Sequence, residues 1–501
     1  MKVHLAGFNV DTAVLKELQA NPASRQDITP EVISAAYARI SRDPRPIEEI
    51  RKDARNEVEK TRKSNSSIIF KMGHHSVAEH AVFNLDIIGV SRLAMEELER
   101  FRLCSYTEKS QRYITLDNDF VVPQDIKNTG AERLFIDTVK VQNNAYFELF
   151  SLLKDHVFKK YPQLAENPKN HNLLEGWAKE DARYVTALAT ESQVGLTVNA
   201  RNLELMLRRF ASHPLEEVQR LGRMIYDEIA EVAPSIVIFH QANDRDQKTY
   251  PELKSLTQQL ITETPVEPTE GKVRLIEYTA DGDDTVAASI LHSVSNLPYR
   301  QCQRIITNCP FETKQKIFQT AWKNLQFYDS MIREFEYVSL TFDIILSAAC
   351  FGQLKRHRMA TLTTQGYDPA LGLTVPESIK AIGKEDYFTE IVEKTNRTYE
   401  HIAKRAPQSA PYILTNAHCR RALMRINARE LYHISRLRQD NHAQWDIRNI
   451  SHDMAREAKK VMPLVFEFIG PKDRYNEIYQ NIFGQLPKVR EEILPGARKI
   501  K

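Results

Sequence analysis

The sequence repeats itself in order, and a chain that does so must fold as two like units. "VHLAGFNVD" from Val3 is echoed by "VRLIEYTADGD" from Val273, and "FNLDIIGVSRLAMEELERFRLCS" from Phe83 by "LTFDIILSAACFGQLKRHRMAT" from Leu340. Two further pairs follow in the same order: "VNARNLELMLRRF" from Val198 with "INARELYHISRLR" from Ile426, then "MIYDEIAEVAPSIVIF" with "ISHDMAREAKKVMPLVF". The offset drifts from 270 residues between Val3 and Val273 to 228 between Asn199 and Asn427, so loops have changed length while the elements between them persist. "TETPVEPTEGK", with its Pro, Glu and Gly, reads as the linker. The expected organisation is a first unit at 1–261, a linker at 262–272 and a second unit at 273–501.

Each copy has the pattern of mixed α and β structure. "MKVHLAGFNVDT" reads as a strand running into a helix start. Val338, Leu340, Phe342 and Ile344 alternate as on a half-buried strand, after which "SAACFGQLKRH" shifts towards helical character. Phe388, Ile391, Val392, Tyr399 and Ile402 fall on one helical face. "NARELYHISRLRQDNHAQWDIR" is a long helical pattern in which Asn427, Arg429, His433 and Arg438 are too polar to be explained by packing alone. The fold class expected is α+β, two tandem copies of one fold with a mixed sheet and long helices.

Several function classes are excluded at this level. No apolar run reaches the length of a membrane span and no signal peptide is visible, so a cytoplasmic protein without a membrane partner is expected. The five cysteines are scattered with no CxxC pair, which argues against both a disulfide framework and a zinc site, and no metal is expected. Cys104 lacks a Pro-Cys-His setting and reads as a small buried thiol rather than a nucleophile. The net charge is +3 with basic and acidic residues interleaved, so no nucleic-acid-binding stripe is evident. Local basic clusters should instead bind something small and anionic.

Those clusters carry a resemblance. "GHHSVAEHAVFNLDII", "RFRLCSYTEKSQRY" and "VNARNLELML" in the first copy, with "QLKRHRMAT" and "NARELYHISRLRQDNHAQWDIR" in the second, resemble the flavin-dependent thymidylate synthases. That family is marked by an Arg-His-Arg triplet followed after seven residues by serine and then by a further arginine. Neither copy here holds the whole motif. The first has Arg100, Phe101 and Arg102 in the triplet but keeps Glu108, Lys109, Ser110 and Arg112 in the loop. The second has Arg356, His357 and Arg358 intact but places Gly366 and Asp368 where the serine and arginine belong. Arg183 of the first copy is matched by Pro411, Arg438 of the second by Phe210, and Gln353 by Glu97.

The resemblance implies a division of labour. Glu108, Ser110 and Arg112, at alternating positions of an extended loop, would project to one side, where Ser110, Arg112 and Arg183 could hold the phosphate of dUMP, with Lys109 in the same loop and Glu108 left for the hydroxyls of dUMP or the flavin. Arg438 would be the catalytic residue, a permanent cation at the ring oxygens that stabilises the anionic base, with Gln353 and Arg356 beside it. The FAD set would comprise Arg356, His357, Arg358, Asn427, Arg429 and His433, together with His74, Ser76, Glu79, Glu108 and Ser41; the triplet would balance negative charge on the reduced flavin. Asn199 and Arg201 persist in the degenerate copy, which suggests that part of the task of Asn427 and Arg429 is structural.

The family is a tetramer with nucleotide sites shared between subunits, so this chain should form a homodimer that mimics the tetramer, with half of its composite sites whole. The implied reaction is FAD-dependent reductive methylation of dUMP to dTMP, with methylenetetrahydrofolate and NADPH as co-substrates. No GxGxxG dinucleotide fingerprint is visible. Two alternatives stand beside it: a related C5 transfer on another pyrimidine nucleotide, and a nucleotide- or flavin-binding pseudoenzyme. The retention of one complementary set of charged residues favours catalysis over the pseudoenzyme.

Overall fold

The computed structural model describes residues 1–22, 27–66, 69, 74–112, 114, 116, 118–261 and 271–488; of the expected linker, 262–270 lie outside them. The chain forms two compact units, Met1–Glu267 with Val375–Ala417, and Pro268–Thr374 with His418–Lys501.

Each unit is built on a four-stranded antiparallel sheet, and the two sheets share one strand order. In the first, β1 (Lys2–Phe8), β2 (Val82–Ser91), β3 (Cys104–Glu108) and β4 (Glu191–Asn199) lie in the order β1-β2-β4-β3. In the second, β5 (Val273–Tyr278), β6 (Ser339–Ser347), β7 (Thr361–Tyr367) and β8 (Cys419–Asn427) lie in the order β5-β6-β8-β7. The α+β class and the duplication stand, but every pairing between these strands is antiparallel, so the expected mixed sheet is corrected to two antiparallel sheets. Side chains alternate as strand geometry requires: Phe83, Leu85 and Ile87 point into the core while Asn84, Asp86 and Ile88 face outwards. A bulge between Ile88 and Val90 is taken by Gly89 at φ +73°, a conformation costly for any side chain.

The same local devices recur in both units. Ser91 accepts from Ala94 N at 3.0 Å to cap the helix Arg92–Leu98, and its hydroxyl donates to Glu217 at 2.6 Å. Ser347 accepts from Cys350 N at 3.0 Å to cap the helix Ala348–Leu354, and donates to Asp446 at 2.5 Å. Asn199 and Asn427 each cap the helix after the last strand, taking the N–H of Asn202 at 3.0 Å and of Glu430 at 2.8 Å. Such caps contribute about 1 kcal/mol each. Their retention accounts for the persistence of Asn199 in a copy that has lost other polar residues.

Packing divides the chain differently from the repeats. By sequence 375–417 belongs to the second copy, yet the helix Glu385–Ala403 places Ile402 in the core that holds Phe135 and Val139 of the helix Glu132–Lys160. Gln142 Nε2 donates to Thr395 Oγ1 at 2.8 Å and to Ile413 O at 2.9 Å. Beside it the matched segments 184–189 and 412–417 pair with one another. Leu188 N donates to Leu414 O at 2.8 Å and Asn416 N to Thr186 O at 3.0 Å. Leu188 matches Asn416 and Thr186 matches Leu414, so these are one bond seen from each copy. The segments are related by a local two-fold, the geometry of an isologous contact, within a single polypeptide.

The long helical pattern from Asn427 resolves into two helices, Ala428–Arg438 and Trp445–Val461. Asp440 accepts from His442 N at 2.8 Å, and Gln444 caps the second helix through Asp446 N at 3.0 Å. These local bonds compete with helix continuation and leave Arg438 at a helix end. Among the described residues no helix is long and apolar enough to cross a membrane.

Candidate active site

In the second unit the Arg-His-Arg triplet lies in the turn between the helix Ala348–Leu354 and β7, so its three side chains diverge: Arg356 is exposed, His357 buried and Arg358 half-buried. His357 faces the end of the helix Ala428–Arg438. Arg438 donates through Nε to His357 Nε2 at 2.9 Å and through Nη1 to Gln353 Oε1 at 2.9 Å. The guanidinium is thus oriented from two sides by two neutral acceptors, which leaves its charge undiminished. Burial, with Arg438 and His433 nearby, pushes the His357 imidazole well below its usual pKa. His357 is therefore neutral, and the cations of the triplet are Arg356 and Arg358. The exposed His433 meets the His357 ring edge to face, with centroids 5.7 Å apart.

The first unit holds the same positions with the chemistry removed. Phe101 and Phe210, matching His357 and Arg438, pack edge to face with centroids 5.8 Å apart. Glu97, matching Gln353, pairs with Arg100 at 2.9 Å and His213 at 3.4 Å.

What the first unit keeps is a cluster of anion donors. β3 ends at Glu108, and the chain then turns, so the extended alternation expected through Arg112 stops short: Ser110 Oγ accepts from Arg112 N at 3.2 Å, a bond that favours a turn. Lys109 N donates to Gln193 O at 2.8 Å. Glu108 accepts from Ser192 Oγ at 3.3 Å and lies 3.8 Å from Arg92. Arg112 pairs with Glu180, and Arg183 Nε donates to the Glu180 carbonyl at 3.3 Å. Asn416 joins the group: it accepts from Arg92 Nε at 3.0 Å and donates to Arg183 O at 3.1 Å and to Gln111 Oε1 at 3.3 Å.

Two donors in this cluster, Arg183 Nη2 and Gln111 Nε2, are buried with no hydrogen-bond partner. Burial, with Arg92 and Arg112 nearby, lowers the pKa of Arg183 against the opposing pull of Glu180. An unsatisfied buried donor on a guanidinium costs about 1–3 kcal/mol or more, and an anion would relieve both that cost and the crowding of three arginines. The donor set fits a phosphate.

The matched loop of the second unit is closed by its own side chain. Arg420 stands in β8 where Ser192 stands in β4, donates through Nε to Gln365 O at 2.8 Å and through Nη2 to Thr364 Oγ1 at 2.9 Å, and stacks 4.8 Å from Phe351 and 4.4 Å from Tyr367. Gly366 lies in β7 and Asp368 directly after it, where Asp368 caps the following turn through Ala370 N at 2.9 Å.

The remaining expected residues divide between the units. Ser41, His74 and Ser76 are exposed in the first unit, and Glu79 there pairs with Arg201. In the second unit Arg429 bonds Met331 O at 2.7 Å and pairs with Glu336 at 3.0 Å. Arg201 and Arg429 therefore anchor the helix that follows each copy's last strand to an acidic residue, which explains why both persist. Arg356, Arg358 and His433 give the second unit cationic and polar donors on accessible positions, a donor set that suits the phosphates and reduced ring of a flavin dinucleotide. Sequence reading missed Glu180, Gln111 and Asn416. For Glu180 the available signal was its position three residues before Arg183 in "EDAR"; for Asn416 there was none, since its partners are distant in sequence.

The chain matches the Thy1 family model, thymidylate synthase complementing protein, over residues 26–235 and again over 274–464. It is 28% identical over 421 residues to a UPF0159 protein of Chlamydia muridarum, covering 80% of this chain and 79% of that one. It is 33% identical over 212 residues to the flavin-dependent thymidylate synthase of Clostridium tetani, covering 41% of this chain and 80% of that one. A solved Helicobacter pylori flavin-dependent thymidylate synthase, complexed with FAD and dUMP, aligns with 48% of this chain and 100% of its own at 18% identity and a TM-score of 0.31. With the model matched twice in succession across most of its length, the chain belongs to the thymidylate synthase complementing protein family, the flavin-dependent thymidylate synthases, and carries two copies of the family unit in tandem.

Proposed function

We propose that this chain methylates dUMP reductively to dTMP. Membership of the family supports the reaction, and one observation carries it to this chain: Ser110, Arg112 and Arg183 are kept in the first copy and lost from the second, while Gln353, His357 and Arg438 are kept in the second and replaced in the first. Ser110, Arg112 and Arg183 would take the nucleotide phosphate, with Lys109 and Glu108 beside them, and the unpartnered nitrogens of Arg183 and Gln111 support that role. Arg438, oriented by His357 and Gln353, would place its charge at the pyrimidine carbonyls and stabilise the ring as it gains negative character, making C5 nucleophilic towards the one-carbon unit of methylenetetrahydrofolate. Arg356 and Arg358, with His433, Asn427 and Arg429, would hold FAD, joined by Ser41, His74, Ser76, Glu79 and Glu108. FAD, once reduced by NADPH, supplies the hydride that completes the methyl group.

The local two-fold between 184–189 and 412–417 supports a further step. One chain already contains a contact of the kind that joins identical subunits, so two chains, as a cytoplasmic homodimer, would stand for the family tetramer. Half of its composite sites would be whole.

The test is direct. Purified chain given dUMP, methylenetetrahydrofolate and NADPH should form dTMP and oxidise NADPH only when dUMP is present. A flavin-loaded protein that makes no dTMP under those conditions would sink the proposal.

A further inference from the structure

A carboxylate, an imidazole and a guanidinium stand in line in the second unit. The bond from Arg438 Nε to His357 Nε2, at 2.9 Å, needs a lone pair on Nε2, so the ring proton must sit on Nδ1. Nδ1 is buried without a hydrogen bond of good geometry, and Glu430 Oε1 lies 3.5 Å from it. A small rotation of either group closes that gap. Glu430 is the third residue of its helix, and its N–H is already taken by the Asn427 cap at 2.8 Å, so cap and carboxylate have separate tasks.

The first unit isolates the role of the carboxylate. Phe101 and Phe210 replace His357 and Arg438 there, and the residue matching Glu430 is Asn202. Its side chain turns back to its own cap, donating to Asn199 Oδ1 at 2.8 Å. The charge at this helix position is present where the imidazole and guanidinium are present and absent where they are not. A neutral buried imidazole has two tautomers, and only the Nδ1–H form accepts from Arg438. A carboxylate facing Nδ1 selects that form, as such partners do for histidines whose other nitrogen is engaged.

We propose that Glu430 is a positioning residue: its carboxylate holds His357 as the Nδ1–H tautomer, which keeps the lone pair of Nε2 on Arg438 Nε and so aims the guanidinium at the nucleotide ring. This rests on the reading of Arg438 as the ring-directed arginine. The first measurement does not depend on turnover. In full-length protein labelled with 15N-histidine, His357 should show a protonated Nδ1 and an unprotonated Nε2. Glu430→Leu should shift that signature towards the other tautomer, and Glu430→Gln, which retains an oxygen acceptor, should restore it. In kinetics, Glu430→Leu should lower kcat about tenfold or more while KM for the nucleotide stays within about twofold, with recovery in Glu430→Gln. A wild-type His357 protonated on Nε2, or a Glu430→Leu protein with unchanged tautomer and kcat, would overturn the assignment. If the wild type made no dTMP while the tautomer still followed residue 430, the reaction assigned would fall and the positioning of Arg438 would stand.

Discussion

Arg438 and His357 meet through a 2.9 Å hydrogen bond, and the residues at the matching positions of the other copy, Phe210 and Phe101, also meet, ring edge to ring face. The pair has been exchanged as a pair. Either half-exchange would leave a buried imidazole or a guanidinium against an aromatic wall without its partner, at a cost of about 1–3 kcal/mol. Two copies of one fold therefore hold opposite chemistry at one place, and that contrast makes the roles testable within one chain.

Arg438→Ala should lower kcat by at least about a hundredfold, on the order of 3 kcal/mol of transition-state stabilisation, while flavin absorbance of the purified protein stays near wild type. Arg438→Lys should recover little, because a lysine lacks the second edge that Gln353 and His357 orient. Near-normal turnover in the alanine variant would remove the residue from the mechanism.

In the first unit the matching site is core. Phe210 is 2% exposed, and a Cβ on Gly222 would stand 2.9 Å from its own Cβ. Phe210→Ala should cost about 3–5 kcal/mol and Gly222→Ala about 1–3 kcal/mol in denaturant unfolding. Below the unfolding transition both variants should keep wild-type kcat. A selective loss of kcat in folded Phe210→Ala protein would show that this position still serves catalysis.

Much of this was readable from residue patterns and much was not. The duplication, the strands with alternating Phe83, Leu85 and Ile87, and the polar triplet all depend on local periodicity, which sequence carries openly. The break after Arg438 depends on side chains of Asp440 and Gln444 bonding their own backbone, which a helical pattern conceals. The packing of 375–417 with the first unit depends on contacts between residues more than two hundred positions apart, such as Gln142 with Thr395. The neutrality of His357 follows from burial, and burial of one member of a charged triplet is not written in the triplet.

Glu97 gives a pH signature. Burial disfavours its charged form, but the bond to His213 and the charge of Arg100 outweigh that and bring its pKa down to about 2. A depressed carboxylate adds stability above its unfolded pKa and loses it as pH falls towards the folded value. Stability should therefore decline between about pH 4.5 and pH 2, by about 1–3 kcal/mol from this group after screening at the exposed Arg100. Glu97→Gln should flatten that part of the curve and leave turnover at neutral pH unchanged. An unaltered acid limb in the variant would contradict the assignment.

Arg183→Leu and Arg112→Leu should act on nucleotide binding. Phosphate contacts are equally present in ground and transition states, so KM for dUMP should rise by about tenfold or more with a smaller change in kcat. Arg183→Leu also removes a buried cation whose Nη2 has no hydrogen-bond partner and should raise the unfolding midpoint of the protein without nucleotide. A fall in kcat at saturating dUMP with unchanged KM would assign these arginines elsewhere.

The division of labour between the copies has its own test. If the phosphate donors of the first copy and Arg438 of the second serve one nucleotide from two different chains, then at dUMP well below the raised KM a chain altered at Arg112 and a chain altered at Arg438 are each nearly inactive alone as homodimers. Mixed and allowed to exchange subunits, they form a heterodimer in which one composite site carries both alterations and the other carries neither. About half of the dimers at equal mixing are of this kind, each with one of its two sites restored, so activity should recover to about a quarter of wild type. If both residues of a site came from one chain, every site would keep an alteration and mixing would restore nothing. Flavin titration on the same samples supplies the control, since about one FAD per chain is expected from the copy that retains the whole Arg356-His357-Arg358 triplet. Two per chain, with His357→Ala and Phe101→Ala equally damaging, would mean that the halves have not specialised at all.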